Sequence, residues 1–247
     1  MQDNLGDRMK AFEDAFRAKL PIRMPVILRL DGKAFHTLTK NLKRPFDLTL
    51  INAMNDTAKY LCANVQGAQI AYVQSDEITI LLNNYKSFDT QPWFENNIQK
   101  MVSVSAAMAS AYFSSISNKV FDEPKLVTFD CRAFVIPKED VNNAFLWRQN
   151  DATRNSIQML ARSLYSHKEC NNKNTSQLQE MCFQKGFNWN DLPTSQRRGR
   201  CIVKVKSPKE VINKQTQEKL IVERSSWEVD NDIPIFSYNF DYVNQYV

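Results

Sequence analysis

Gln69-Ile70-Ala71-Tyr72-Val73-Gln74-Ser75-Asp76-Glu77-Ile78-Thr79-Ile80-Leu81-Leu82 holds two apolar, β-rich runs on either side of Ser75-Asp76. Short apolar runs bounded by turn residues are the pattern of buried strands, so this stretch predicts strands over 69–74 and 77–82, joined at an acidic tip. An earlier stretch, Pro25-Val26-Ile27-Leu28-Arg29-Leu30-Asp31-Gly32-Lys33-Ala34-Phe35-His36, has the same design, its apolar run ending on Asp31. A carboxylate at the end of a buried strand is costly unless something pairs with it. Two such ends side by side would repel, and a divalent cation is the natural remedy. Mg²⁺ takes one or two protein carboxylates together with waters and substrate phosphates. Two metals held this way can activate an attacking oxygen and steady a leaving phosphate. The plainer alternative is an ordinary Asp-Gly turn and a Ser-Asp-Glu hairpin tip standing in water.

Outward from these strands the chain alternates in type. Residues 3–20 predict a helix with Met9, Phe12, Phe16 and Leu20 on one face. Pro45-Phe46-Asp47 opens another, with Asp47 as cap and Phe46 stapling onto Ile51, and Gly67 closes it. A long helix is expected over 92–116, buried along Ile98, Met101, Ser105, Met108, Tyr112 and Ile116, followed by a strand over 125–135. Further helices are expected over 141–165 and 177–184, and a late hairpin over 200–206 and 219–224. The order β, α, β, β, α, β is that of the split βαβ, ferredoxin-like fold. Such an α+β sheet is antiparallel, with helices covering one face. The expected division is a catalytic core over 1–137 and a helical and hairpin extension over 138–247 packed on it, as one continuous structural domain.

Net charge is +5, mild enough to fit a polyanion partner or none. Basic residues gather late, at Arg197, Arg198, Arg200, Lys204, Lys206 and Lys209, which is either a binding patch or a solvated face. The five cysteines are scattered and form no Cys-x-x-Cys pair, which argues against a disulfide framework or zinc site and for reduced thiols in the cytoplasm. No apolar run reaches bilayer length, and no secretory signal is visible.

Arg29-Leu30-Asp31-Gly32-Lys33-Ala34-Phe35-His36 with Gln74-Ser75-Asp76-Glu77 resembles the tRNA-histidine guanylyltransferase family and its Thg1-like relatives. Three later stretches fit in order: Phe129-Asp130-Cys131-Arg132, Trp147-Arg148-Gln149-Asn150-Asp151 and Asn188-Trp189-Asn190-Asp191-Leu192-Pro193. The resemblance implies a polymerase palm. It implies two Mg²⁺ ions held by Asp31, Asp76 and the Gly32 carbonyl, with Glu77 as a further catalytic carboxylate if the tip bends enough to bring it round. It also implies nucleotide contacts from Asp31, Gly32, Lys33, Ala34, Phe35, His36, Ser75 and Asp76, with Lys43 or Arg44 facing phosphate. Lys33 stands where relatives often carry Arg. Arg132 and Arg148 meet phosphates or the tRNA end, or else form structural ion pairs; Asn155, Arg197, Arg198 and Arg200 complete the expected RNA contacts. Trp147 is read as core in preference to a base-stacking platform.

The implied activity is nucleotidyl transfer to a tRNA 5′ end, running 3′ to 5′, with ATP and GTP or another nucleoside triphosphate as substrates and a homotetramer as the assembly. One departure bears on specificity. Where eukaryotic members read His-Ile-Asn-Asn-Leu-Tyr-Asn, this chain has Thr153-Arg154-Asn155-Ser156-Ile157-Gln158-Met159, keeping Asn155 alone in place. That pattern resembles the Thg1-like subgroup, which implies templated repair of 5′-truncated tRNA. The alternatives are a dedicated tRNA-histidine guanylyltransferase, an RNA-binding module on a palm that has lost catalysis, and a nucleotide cyclase, which the later motifs do not support.

Overall fold

The structure is a computed structural model, and it describes residues 4–212 and 219–247. Helix α1 is Leu5–Asp14, β1 Val26–Gly32, α2 Phe35–Leu38, α3 Leu48–Asn64, β2 Ala68–Gln74 and β3 Glu77–Leu82. They are followed by α4 Ile98–Ser115, β4 Phe129–Val135, α5 Val141–Leu164, α6 His167–Cys170 and α7 Thr175–Gln184. The chain ends with α8 Thr194–Arg197, β5 Arg200–Ile212, β6 Lys219–Asp230 and α9 Asp241–Asn244. The sheet order is β4-β1-β3-β2-β5-β6, every neighbouring pair antiparallel. Its first four strands have the ferredoxin-like order expected from the sequence.

Alternation decides where each strand residue goes. Val26, Leu28, Leu30, Ile78 and Ile80 join a core with α3 and α4 residues such as Met54, Leu61, Met101 and Phe113. Ile27, Tyr72 and Leu81 face the opposite way, into a core with Val141, Phe145, Ile233, Phe236 and Val243. Helices thus cover both faces, not one: α5 and residues 231–247 seal the second. The reason lies in Ile27, Ile70, Tyr72 and Leu81, which make one end of the second face apolar and in need of cover, while Arg29, Asp31 and Glu77 make its other end polar. β5 pairs with β2, so the C-terminal half extends the same sheet.

Other departures are local. The first helix stops at Asp14, and Met9, Phe12 and Phe16 lie exposed; Leu20 instead packs on the core after Lys19 bridges to Asn97. The long helix starts at Ile98, capped by the Asn97 side chain, and buries Met101, Ser105, Ala109 and Phe113. The late hairpin runs further than expected, over β5 and β6, and its tip, 213–218, lies outside the described residues, as does the Lys209 side chain. Asp47 caps α3 as expected, accepting from the amides of Thr49 and Leu50. Trp147 is not core: it lies 53% exposed on α5.

Candidate active site

Asp31 ends β1, and its register partner on β3 is Glu77. Directly opposed residues on antiparallel strands share a face. The two carboxylates are therefore cross-strand neighbours, with no bending of the tip required. Ser75 and Asp76 form a two-residue loop between the paired Gln74 and Glu77. Ser75 has φ 45°, a left-handed conformation that such loops usually give to glycine. The loop folds back on β1, and the Gly32 amide donates to the Asp76 carbonyl at 3.1 Å. A fourth carboxylate, Asp130 of β4, opposes Asp31 from its other side.

This convergence shows in the titration of the group. Burial, then Asp130, raises the Asp31 carboxyl above the ordinary range, against Arg132, Arg29 and Arg148. Burial raises Asp76, with Asp31 and Glu77 adding repulsion. Burial also raises Glu77, and Arg148 opposes it. The cluster has an excess of negative charge that the protein does not fully neutralise.

Packing requires glycine at position 32: a Cβ there would lie 2.3 Å from the Phe35 ring. That ring is core, set against Phe113 and Phe129 at centroid distances of 5.6 and 5.4 Å. Phe35 can therefore serve a nucleotide only through its backbone. Ala34 is left-handed (φ 56°), and Ala34, Phe35 and His36 stand at the start of α2, where amides lack intrahelical partners. The Lys33 amide is spent on the Thr128 carbonyl, while its side chain is exposed. Exposed His36 contacts the Thr37 hydroxyl at 3.0 Å. Lys43 and Arg44 are exposed in the loop before α3, the Lys43 amide donating to Asp47 and the Arg44 guanidinium to the Lys40 carbonyl.

The expected RNA contacts divide by depth. Arg132 is 58% exposed on the open edge, 3.9 Å from Asp130. Arg148 is buried, its Nε donating to Glu77 at 2.6 Å and its Nη2 to Asp151 at 2.7 Å. Of the two readings open from sequence, an ion pair is what the structure holds. Arg200 is 2% exposed and donates to the Asn55 side chain at 2.6 Å. Both are nearly sealed from water, Arg148 against carboxylates and Arg200 at the wall of a cleft. Arg197 and Arg198 are half-buried, Arg197 lying 5.5 Å from the Trp189 ring centroid. Asn155 donates to Asp151 at 3.4 Å.

A cleft adjoins the tip. It is lined by Phe46, Asp47, Leu50, Ile51, Gln74, Ser75, Asn155, Ser156, Gln196 and Arg200, among others. Gly199 lets β5 come this close: with φ 79°, a Cβ there would meet the Tyr72 hydroxyl at 2.6 Å and the Val73 carbonyl at 2.7 Å. The cleft draws on α3, the Ser75 loop, α5 and α8, and no spacing in the sequence joins them. Arg29 and Asp130 were within reach of sequence reasoning, since both lie in quoted motifs on strands and share the face of Asp31.

For Mg²⁺ the donor set fits: carboxylate and carbonyl oxygens around uncompensated negative charge. The described residues hold no closed group of three carboxylate, His or Cys ligands. Mg²⁺ does not need one, because it keeps waters and binds substrate phosphates.

Sheet, carboxylates and cleft together describe a nucleotidyltransferase, and sequence fixes which kind. The chain matches the tRNAHis guanylyltransferase (Thg1) family over residues 6–137 and belongs to it. It is 46% identical to a bacterial tRNA(His) guanylyltransferase (Thg1)-like protein solved in complex with ATP, with 99% of each chain covered and a TM-score of 0.87. The structure of such a protein in complex with GTP matches at the same identity and coverage, with a TM-score of 0.83. The tRNA(His) guanylyltransferase of Debaryomyces hansenii is 29% identical over 198 residues, 72% of this chain and 73% of the relative. The Saccharomyces cerevisiae enzyme, at 19% identity and a TM-score of 0.66 over 85% of this chain and 94% of that one, shares the fold.

Proposed function

We propose that this protein extends the 5′ end of tRNA in the 3′-to-5′ direction, with Mg²⁺, and that the added base is chosen by the opposite strand. The observation that carries the reading is the meeting of Asp31, Asp76 and Glu77 at the β1–β3 end, beside a cleft open to Ser75. ATP and GTP are the proposed nucleotides, supported by the complexes of the 46%-identical relatives. In the first step a 5′-phosphate oxygen of the RNA attacks the α-phosphorus of ATP and pyrophosphate leaves. In the second, the 3′-hydroxyl of the incoming nucleotide attacks the 5′-phosphorus of the RNA, and AMP leaves with the electron pair of the broken P–O bond.

Asp31, Asp76 and the Gly32 carbonyl would hold Mg²⁺, which when bound lowers the pKa of the attacking hydroxyl and neutralises the leaving phosphate. The chain itself positions the reactants, the larger share of catalysis in phosphoryl transfer. The open amides of Ala34, Phe35 and His36 and the Ser75 hydroxyl receive the triphosphate, with Lys33 and Lys43 or Arg44 as countercharge. Arg132, Arg197, Arg198 and Asn155 face the RNA. We further propose a cytoplasmic homotetramer. The free cysteines suit a reducing compartment, and the exposed Met9 and Phe12 of α1, with Phe16 just beyond it, make a surface a second copy would cover. No helix among the described residues is long and apolar enough to cross a membrane.

The competing reading is a guanylyltransferase dedicated to tRNA-histidine, favoured by the names of relatives such as the Debaryomyces hansenii enzyme. A site that lacks the polar groups to recognise one fixed base must find its discrimination elsewhere. The test supplies each nucleotide singly to a tRNA missing its first 5′ residue. Changing the opposing base from C to U should switch the preferred addition from G to A. Addition of G regardless of that base, and only to tRNA-histidine, would decide for the dedicated enzyme.

A further inference from the structure

The arginine of Trp147-Arg148-Gln149 is buried against two carboxylates. Arg148 sits on α5, 71 residues from Glu77 in sequence, yet its Nε lies 2.6 Å from the Glu77 carboxylate. Its Nη2 lies 2.7 Å from Asp151, one helical turn on. Arg148 and Glu77 are both nearly sealed from water, at 7% and 8% exposure. The Trp147 ring stacks near the guanidinium at 4.4 Å and near that of Arg29 at 5.0 Å. Asp151 is held in turn by Arg154 and Asn155.

A buried ion pair adds little net stability, because desolvation offsets most of the Coulomb attraction. What a two-pronged guanidinium does supply is direction, since its donors lie in one rigid plane. Here one prong is fixed by Asp151 and the other by the carboxylate beside Asp31. We infer that Arg148 is a positioning residue, acting through Glu77: it fixes that side chain's orientation against Asp31 and Asp76, and Asp151 in turn fixes Arg148. The inference rests on the nucleotidyl-transfer reading above. It removes Arg148 from the RNA contacts and makes α5 the element that sets the geometry at the β1–β3 end.

The test compares Arg148→Met, Arg148→Lys, Glu77→Gln and the double variants in the full-length protein. Two quantities are read: tRNA affinity with its salt dependence, and the single-turnover transfer rate at saturating tRNA and nucleotide. For Arg148→Met the expected result is an unchanged affinity and salt slope, with a rate lower by about 10–100-fold, the usual loss when a partner that orients a functional ligand is removed. Arg148→Met/Glu77→Gln should be no slower than Glu77→Gln alone. Arg148→Lys should recover part of the rate, since an ammonium can meet Glu77 but lacks the fork. If Arg148→Met does not fold, Arg148→Lys in the same cycle with Glu77→Gln carries the comparison. Weakened tRNA binding with a full rate at saturation would make Arg148 an RNA contact and overturn the inference. Losses that multiply in the double variant would overturn it as well. A wild-type protein that transfers nothing to any tRNA overturns the functional reading and this inference together.

Discussion

Arg148 and Arg200 are both buried guanidiniums, but they face different things. Arg148 meets two carboxylates, Glu77 and Asp151. Arg200 meets the neutral side chain of Asn55, and its Nη2 has no partner among the described residues. Burial lowers its pKa to about 10, with only the Tyr72 hydroxyl opposing. A buried charge without a counter-charge is expensive. At the β1–β3 end the protein has too much negative charge, and at the cleft floor an unanswered positive one. The comparison teaches that burial leaves each end short of countercharge: carboxylates at one, where the proposed Mg²⁺ would supply it, and a guanidinium beside the cleft at the other.

The largest expected effect lies at the acidic end. Asp31→Ala or Asp76→Ala should lower both activation and transfer by at least about 10³-fold while the fold survives, because in the proposed mechanism both steps need the same ions. Rapid-quench assays with each 5′ end prepared separately would show it. Near wild-type rates with ordinary Mg²⁺ dependence would remove the carboxylate site from the mechanism.

The next effect sharpens the contrast at Arg200. Arg200→Ala deletes a charged hydrogen bond and leaves Asn55 unsatisfied, at a cost of about 2–3 kcal/mol. Arg200→Met leaves Asn55 equally unsatisfied and removes the same charge but fills the space that Arg200→Ala empties, so its melting temperature should lie above that of Arg200→Ala and below wild type. Equal destabilisation by both would place the loss in the hydrogen bond to Asn55 and not in packing.

A smaller effect belongs to Asp76. Its folded-state pKa is raised, so the folded protein resists ionising it. Without metal, that penalty is absent below the ordinary carboxylate pKa and grows as pH rises through the raised value. Metal-free wild type should therefore lose stability across this interval, and Asp76→Asn should remove part of the slope. At neutral pH Asp76→Asn should melt about 2–4 °C higher in EDTA, and added Mg²⁺ should narrow the gap by stabilising wild type. A lower melting temperature for Asp76→Asn would show that the protein already supplies its countercharge. The smallest effect is at the rim: Arg197→Ala/Arg198→Ala should flatten the log–log salt slope of tRNA binding by about one unit per lost phosphate contact. An unchanged slope would reassign both to the packing around Trp189.

Much of this was legible in the chain. The runs ending at Asp31 and Asp76 announced paired strands with acidic ends, and the helix spacings, Asp47 cap and element order fixed the ferredoxin-like half of the sheet. The residues that failed did so for one reason. Periodicity states which residues share a face, but not what that face meets. Phe12 and Phe16 follow a core-like spacing, yet among the described residues no element covers them. Trp147 is as apolar as Phe145 and lies two residues away, half a turn round the same helix and in the open.

The sequence by itself determined the local chemistry: strands where apolar β-formers run together, carboxylates at their ends, and caps where Asp and Asn precede helices. Only the tertiary structure decided who answers those charges. Glu77 faces Asp31 through strand register, Arg148 reaches Glu77 across 71 residues, and Arg200 reaches Asn55 across 145. Strand and helix formation is governed by neighbours along the chain. The pairing of buried charges is governed by neighbours in space, which exist only once the sheet has closed and α5 has packed on its second face.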